Sequence, residues 1–244
     1  MQKQAAFFDI DGTIYRDCLM VEHFKTIMDL KIVDDPIKYA EIEKLLRDWY
    51  KRQIDYEKYL ELICESYVLT LKKISRSDAE FAASRMIRRK AGRVYKFTRS
   101  MINRHKEMDH KVIFISGSPD FLVKRMAEIY DADDYEGSKY IYDEEKFTGN
   151  IKPMWDSKSK NQAVDKFSEK YDLDLASSYA YGDTNGDISM MKKVGHPIAM
   201  NPSRELIDAI KADSNLKLKA RIVIERKDTV YITEPEQATL MDIQ

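Results

Sequence analysis

Residues 5–13, AAFFDIDGT, form an apolar run that ends in two acids two positions apart, Asp9 and Asp11. A short run with no polar interruption, closed by a Gly-Thr turn, predicts a strand buried on both faces, as in parallel sheets. Residues i and i+2 of a strand share a face and lie roughly 6–7 Å apart. The two carboxylates therefore bracket one point from the same side, where they repel each other. A metal ion is the natural counter-charge.

Two later stretches repeat the arrangement. KVIFISGS (111–118) is a second apolar strand that ends in small polar residues, and SSYAYGDTNGD (177–187) is a third that ends in acids. Helical patterns separate them, near 93–108, 119–130 and 157–171, and a further helix runs through Met190 and Met191. HPIAM (196–200) reads as a short strand and SRELIDAIK (203–211) as a helix. Strands alternating with helices predict an α/β fold with a parallel sheet. Between the first and second strands, residues from about 20 to 92 read as helix after helix. DDPIKYAEIEKLLRDWYKR, for example, has a proline near its start and apolar residues at helical spacing. KYIYDEEKFTGNI (139–151) alternates around a polar turn and predicts a β-hairpin. ARIVIERKDTVYITEPEQ, in the tail, reads as a late one.

Composition narrows the function. Of 244 residues, 43% are hydrophobic, enough for a substantial core. The 41 basic and 42 acidic residues leave a net charge of -1, which argues against a nucleic-acid partner. The two cysteines, Cys18 and Cys64, form no CxxC pair, which suits a reducing compartment and argues against a disulfide framework or a zinc cluster. No stretch approaches the roughly 18 apolar residues of a membrane span, and the N-terminus meets an acid too early for a signal peptide. The expectation is a cytoplasmic protein with neither a nucleic-acid nor a membrane partner.

In an open parallel sheet, ligands bind beyond the carboxyl ends of the strands. Asp9 and Asp11, Ser116, and Asp183 with Asp187 can therefore meet at one place. Asp183 completes an oxygen-rich cage with Asp9 and Asp11, and a cage without His or Cys favours Mg²⁺ over zinc.

DIDGT, FISGS, a downstream lysine and YGDTNGD, in this order and each at a strand end, resemble the four motifs of the haloacid dehalogenase (HAD) superfamily. The likeness covers about residues 5–202. The position of the helical insert and of the hairpin resembles the phosphoserine-phosphatase-like subgroup. The resemblance implies a three-layer, Rossmann-like parallel core (1–16 and 98–212), an all-helical cap (17–97) and a C-terminal extension (213–244). It also implies a Mg²⁺-dependent phosphatase acting on a small-molecule phosphomonoester. Asp9 is then the nucleophile, forming an aspartyl-phosphate, and Asp11 the general acid and base. Mg²⁺ is held by Asp9, the Asp11 backbone carbonyl and Asp183. Ser116, the Gly117 amide and a lysine bind the phosphoryl group, and Asp187 supports the metal-bound water or orients the lysine. Lys158 and Lys160 both offer themselves. The subgroup places an apolar residue four positions after its lysine, which favours Lys160 through Val164.

Asp17 and Cys18 stand near the position where the phosphoserine enzymes place an acid for the substrate amine. Asp17 is one place early, and Gly186 stands where those enzymes carry Asn. Both departures speak against phosphoserine itself. A phosphotransferase or mutase sharing the same intermediate is the alternative, with a non-enzymatic phospho-receiver more remote. Plain structural roles remain for the basic run RMIRRKAGR (85–93), read as a solvated helix face, for Met190 and Met191 as packing, and for His196. Ser116 can also cap the following helix, and Asp187 by itself reads as a loop or cap acid.

Overall fold

The computed structural model describes residues 2–240, the side chains of Tyr56 and Glu57 excepted; Met1 and residues 241–244, at the ends of the expected core and C-terminal extension, lie outside the described residues. The strands are β1 (Ala5–Phe8), β2 (Lys111–Pro119), β3 (Asp134–Asp143), β4 (Lys146–Lys152), β5 (Tyr179–Gly182), β6 (His196–Met200), β7 (Arg221–Arg226) and β8 (Thr229–Thr233). They form one sheet in the order β4-β3-β2-β1-β5-β6-β7-β8. From β3 to β7 each neighbouring pair is parallel, and β8 returns antiparallel against β7. The C-terminal extension is therefore part of the sheet, because β7 adds to the edge of β6.

The helices are α1 (Leu19–Asp29), α2 (Pro36–Tyr50), α3 (Tyr56–Leu71), α4 (Arg76–Lys90), α5 (Lys96–Glu107), α6 (Asp120–Tyr130), α7 (Ser157–Tyr171), α8 (Ile188–Lys193), α9 (Arg204–Ala212) and the single turn α10 (Leu216–Lys219). All four residues of β1 are buried, so alternate side chains feed opposite layers. Ala5 and Phe7 join Ile113, Ile115 and Ala180 in a core closed by Val164 and Phe167 of α7, Met190 and Met191 of α8 and Leu206 and Ile210 of α9. Phe8 points the other way. It stacks on Tyr181 at 4.2 Å and meets Phe114 and His105 edge-on. Full burial of each such side chain is worth about 1.5–3 kcal/mol.

The chain divides into two compact units. The larger holds residues up to Cys18, Ala91–Lys139 and Pro153 onward. The smaller holds Leu19–Lys90 and Tyr140–Lys152. The helical segment is thus narrower at both ends than 17–97. The reason lies in its two flanks, which pair with each other inside the larger unit. Arg16 N–H donates to Arg93 O at 2.9 Å and Tyr95 N–H to Ile14 O at 2.9 Å. Within the smaller unit, His23 joins Tyr67 Oη (2.7 Å) and Ala79 O (2.9 Å). The hairpin tip is tied to α4 by Arg76 N–H donating to Glu145 O at 2.8 Å. The basic run behaves as a helix face, with Met86 and Ile87 buried and Arg85, Arg88 and Arg89 exposed.

His105 is buried against the sheet, with Nε2 2.9 Å from Tyr181 Oη and Nδ1 3.0 Å from His110 Nδ1. Burial, helped by His110 and Arg104, pushes its pKa down from 6.5 to about 4. An unfolded chain takes up this proton near pH 6.5, whereas the folded chain waits until about 4. Stability should therefore fall as pH drops through that window. Urea unfolding between pH 6.5 and 4.5 should show the wild type losing up to about 1.4 kcal/mol per pH unit more than His105→Gln. Parallel losses in the two proteins would contradict this account.

Candidate active site

Register sets the site. Phe8 pairs with Phe114 on one side and Tyr181 on the other. One residue further along come Asp9, just past the end of β1, Gly182, the last residue of β5, and Ile115, from which β2 runs on to Pro119. The polar residues that follow β1 and β5 therefore lie beside the polar last residues of β2, and Asp9 is still anchored by its N–H donating to Tyr181 O at 2.9 Å.

At this level Lys160 Nζ lies 2.6 Å from Asp9 Oδ1 and 2.5 Å from Asp187 Oδ1. Lys160 is in the first turns of α7, whose start is capped by Asp156 accepting from Ser159 N–H. Lys160 is buried and Lys158 exposed, so of the two lysines it is Lys160 that lies beside the acids. Asp187 is fully buried. Its Oδ2 accepts from the N–H groups of Asp183 (3.1 Å) and Thr184 (3.0 Å), so it both shapes its loop and orients the lysine.

Ligand oxygens of Asp9, Asp183 and Asp187 lie within 4.8 Å of one another. Asp183 is held by Thr13 Oγ1, which donates to its Oδ1 at 2.9 Å. Gly12 makes room for it: φ is +81°, and a β-carbon there would come within 2.0 Å of Asp183 Oδ2. Asp11 sits apart from the trio and faces β2. Ser118 Oγ donates to its Oδ2 at 2.6 Å, and Ser116 Oγ reaches the same oxygen at 3.4 Å. Gly117 O accepts from Ser138 Oγ at 2.7 Å. Asp17 is ion-paired with Arg93 at 2.7 Å, and Cys18 is half-buried. Sequence reasoning assigned no role to Thr13 and Ser118, although both stand inside the motifs it singled out. Their partners lie 170 and 107 positions away.

The electrostatics are unbalanced. Burial pushes Asp9 up to about 8, against the pull of Lys160 and with Asp187 and Asp11 adding to the rise. Burial likewise holds Asp183 well above the usual carboxylate range, with Asp9 and Asp187 contributing. Burial works against the charge of Lys160, yet Asp187 and Asp9 hold it protonated well above the ordinary lysine value. Three clustered carboxylates against one ammonium leave a negative excess, with Asp9, Asp187 and Lys160 buried and Asp183 partly exposed. An all-oxygen donor set with that excess fits a hard divalent cation such as Mg²⁺.

The family model for haloacid dehalogenase-like hydrolases matches residues 6–192. The chain belongs to this family. Among curated members, a phosphoserine phosphatase of Methanocaldococcus jannaschii is 23% identical over 228 residues, spanning 93% of this chain and 94% of that protein. The inhibition of morphological differentiation protein of Streptomyces azureus is 24% identical over 213 residues, spanning 84% and 74%. A solved phospho-aspartyl intermediate analogue of phosphoserine phosphatase superimposes with a TM-score of 0.61 at 23% identity, covering 93% of this chain and 96% of its own. A protein of unknown function from Bordetella pertussis Tohama I reaches 0.69 at 18% identity, covering 87% and 96%. At these identities the structural likenesses establish the α/β fold that the family shares. Among the described residues no helix is long and apolar enough to cross a membrane.

Because burial raises the pKa of Asp9 and of Asp183 when no cation is near, binding of a cation should favour their ionised forms and release protons from the cluster. Calorimetric titration of Mg²⁺ at pH 7, in buffers of different ionisation enthalpy, should report on the order of one proton released per ion. A binding heat independent of the buffer would refute the charge imbalance.

Proposed function

We propose that this chain is a Mg²⁺-dependent phosphatase that hydrolyses a small phosphorylated metabolite through an aspartyl-phosphate on Asp9. The observation that carries this reading is the clustering of Asp9, Asp183 and Asp187, with Lys160 buried between Asp9 and Asp187. Attack by a carboxylate on a phosphate dianion brings like charges together. It requires dense, preorganised positive charge in a site shielded from water. Lys160 supplies part of it. Asp9, Asp183 and the Asp11 backbone carbonyl would hold Mg²⁺, which would supply the rest as a Lewis acid.

In the first step an Asp9 carboxylate oxygen attacks phosphorus and the bond to the leaving oxygen breaks. Asp11 gives that oxygen its proton. Ser116 and the Gly117 amide bind phosphoryl oxygens, and Lys160 offsets the charge that remains. In the second step Asp11 takes a proton from water, the water oxygen attacks phosphorus, and Asp9 leaves as a free carboxylate. Asp187 keeps Lys160 aimed. Asp17 and Cys18, where the chain enters the helical segment, are the candidate contacts to the leaving group. The reaction runs in the cytoplasm. The relatives named phosphoserine phosphatase and histidinol-phosphatase support a phosphomonoester substrate.

Hydrolysis of p-nitrophenyl phosphate should require Mg²⁺. Asp9→Asn should retain less than about 1% of the wild-type rate, since an amide is a poor nucleophile and a poor ligand. Activity that survives either EDTA or Asp9→Asn would sink the reading.

Asp11→Asn should lose proton transfer, an effect of roughly 10²–10⁴-fold on esters of alkyl alcohols. Aryl esters with acidic leaving groups should suffer much less in the burst phase. Equal losses for both kinds of ester would remove Asp11 from the acid role.

A further inference from the structure

Ser118 takes no part in the roles proposed so far. It is 3% exposed, near the end of β2 and two residues beyond Ser116. The pairing of β2 with β3 shifts register between Ile115 and Pro119. Such irregularities re-aim side chains, and here both serine hydroxyls come to the same oxygen, Asp11 Oδ2. They reach it unequally. Ser118 donates at 2.6 Å, while Ser116 stands at 3.4 Å and itself accepts the Ser118 N–H at 3.1 Å. The loop between them is fixed from behind: Met154 N–H donates to Ser138 Oγ at 3.0 Å, and Ser138 Oγ donates to Gly117 O at 2.7 Å.

A serine hydroxyl has one proton to donate. If Ser116 spends it on a phosphoryl oxygen, it cannot also hold Asp11. We propose that Ser118 is the positioning residue for Asp11. This inference rests on the phosphatase reading. Ser118 holds the Asp11 carboxyl through Oδ2, and it leaves the Ser116 hydroxyl free for phosphate. In the first step Asp9 forms its bond to phosphorus as the phosphorus–leaving-group bond breaks. The electron pair stays on the leaving oxygen, which takes the proton from the Asp11 carboxyl. In the second step the water oxygen forms its bond to phosphorus as the Asp9–phosphorus bond breaks, and the Asp11 carboxylate accepts the proton from that water. Ser118 keeps its own proton throughout.

The test compares kcat/KM for an alkyl phosphate and for 2,4-dinitrophenyl phosphate, whose leaving group needs no acid. Ser118→Ala should lose about tenfold or more on the alkyl ester and less than about twofold on the dinitrophenyl ester. Inhibition by inorganic phosphate should stay within about twofold, because the phosphate contacts of Ser116 are kept. Ser118→Thr, which restores a hydroxyl, should recover most of the alkyl activity. In an Asp11→Asn background Ser118→Ala should have almost no further effect on the alkyl ester, since the two residues act as one unit. An equal loss on both esters, an additive loss in the double variant, or full alkyl activity in Ser118→Ala would each overturn the role of Ser118. Turnover of neither ester by the wild type with Mg²⁺ would instead overturn the phosphatase reading and the inference resting on it.

Discussion

One buried ammonium holds the site together. Lys160 stands between Asp9 and Asp187, each within hydrogen-bond reach and all three nearly or wholly out of water. A buried ion pair is a poor source of net stability, because desolvation offsets much of the attraction. Breaking one leaves a charge stranded, at a cost of about 3–5 kcal/mol. The value of this arrangement is therefore positional. It joins the end of β1, the start of α7 and the loop after β5, three elements far apart in the chain, and it still leaves a negative excess for a cation.

The sheet makes that junction possible. Parallel strands all present their carboxyl ends on one side, and the pairing of Phe8 with Phe114 and Tyr181 brings the polar residues there side by side. Stacking of Phe8 on Tyr181 stabilises that register from the opposite layer. A slip of one residue would exchange the two faces of β1 and carry Asp9 away from Lys160. Core packing and site geometry are thus two consequences of one alignment. The C-terminal strands extend the same sheet. From β7, Glu225 accepts from Phe97 N–H at 2.9 Å and pairs with Arg16, so it braces both of the flanks that pair beside the site.

The loops carry the division of labour. Asp183 and Asp187 share one loop, yet Asp187 is spent on backbone amides and the lysine while Asp183 is held by Thr13. Asp11, two residues from Asp9, faces a different set of neighbours, the serines of β2. Two carboxylates that look alike in sequence are separated by their surroundings: one sits against an ammonium and two other acids, the other against hydroxyls. Such differences let one carboxylate serve as nucleophile and another as proton donor.

Much of this was legible in the residues themselves. Apolar runs closed by acids or small polar residues marked β1, β2 and β5, because a strand buried on both faces must be apolar until it leaves the sheet. Helical spacing marked α5, α6, α7 and α9 within a few residues, since an amphipathic face shows its period locally. The motif acids and Ser116 stood out because no core explains charged or polar groups at those points. What the sequence left open depended on distances across the chain. Lys158 and Lys160 differ by two positions and look equivalent until α7 packs; then one faces the acids and the other faces solvent. Thr13 and Ser118 were ordinary turn residues until folding brought Asp183 and Asp11 to them. The narrower helical unit and the joining of β7 to the sheet followed from long-range pairing, of which local pattern carries no trace. Sequence alone determined which residue types the strand ends offer. Tertiary structure decided which of them meet, because hydrogen bonds and ion pairs depend on ångström-scale placement that only the packed sheet imposes.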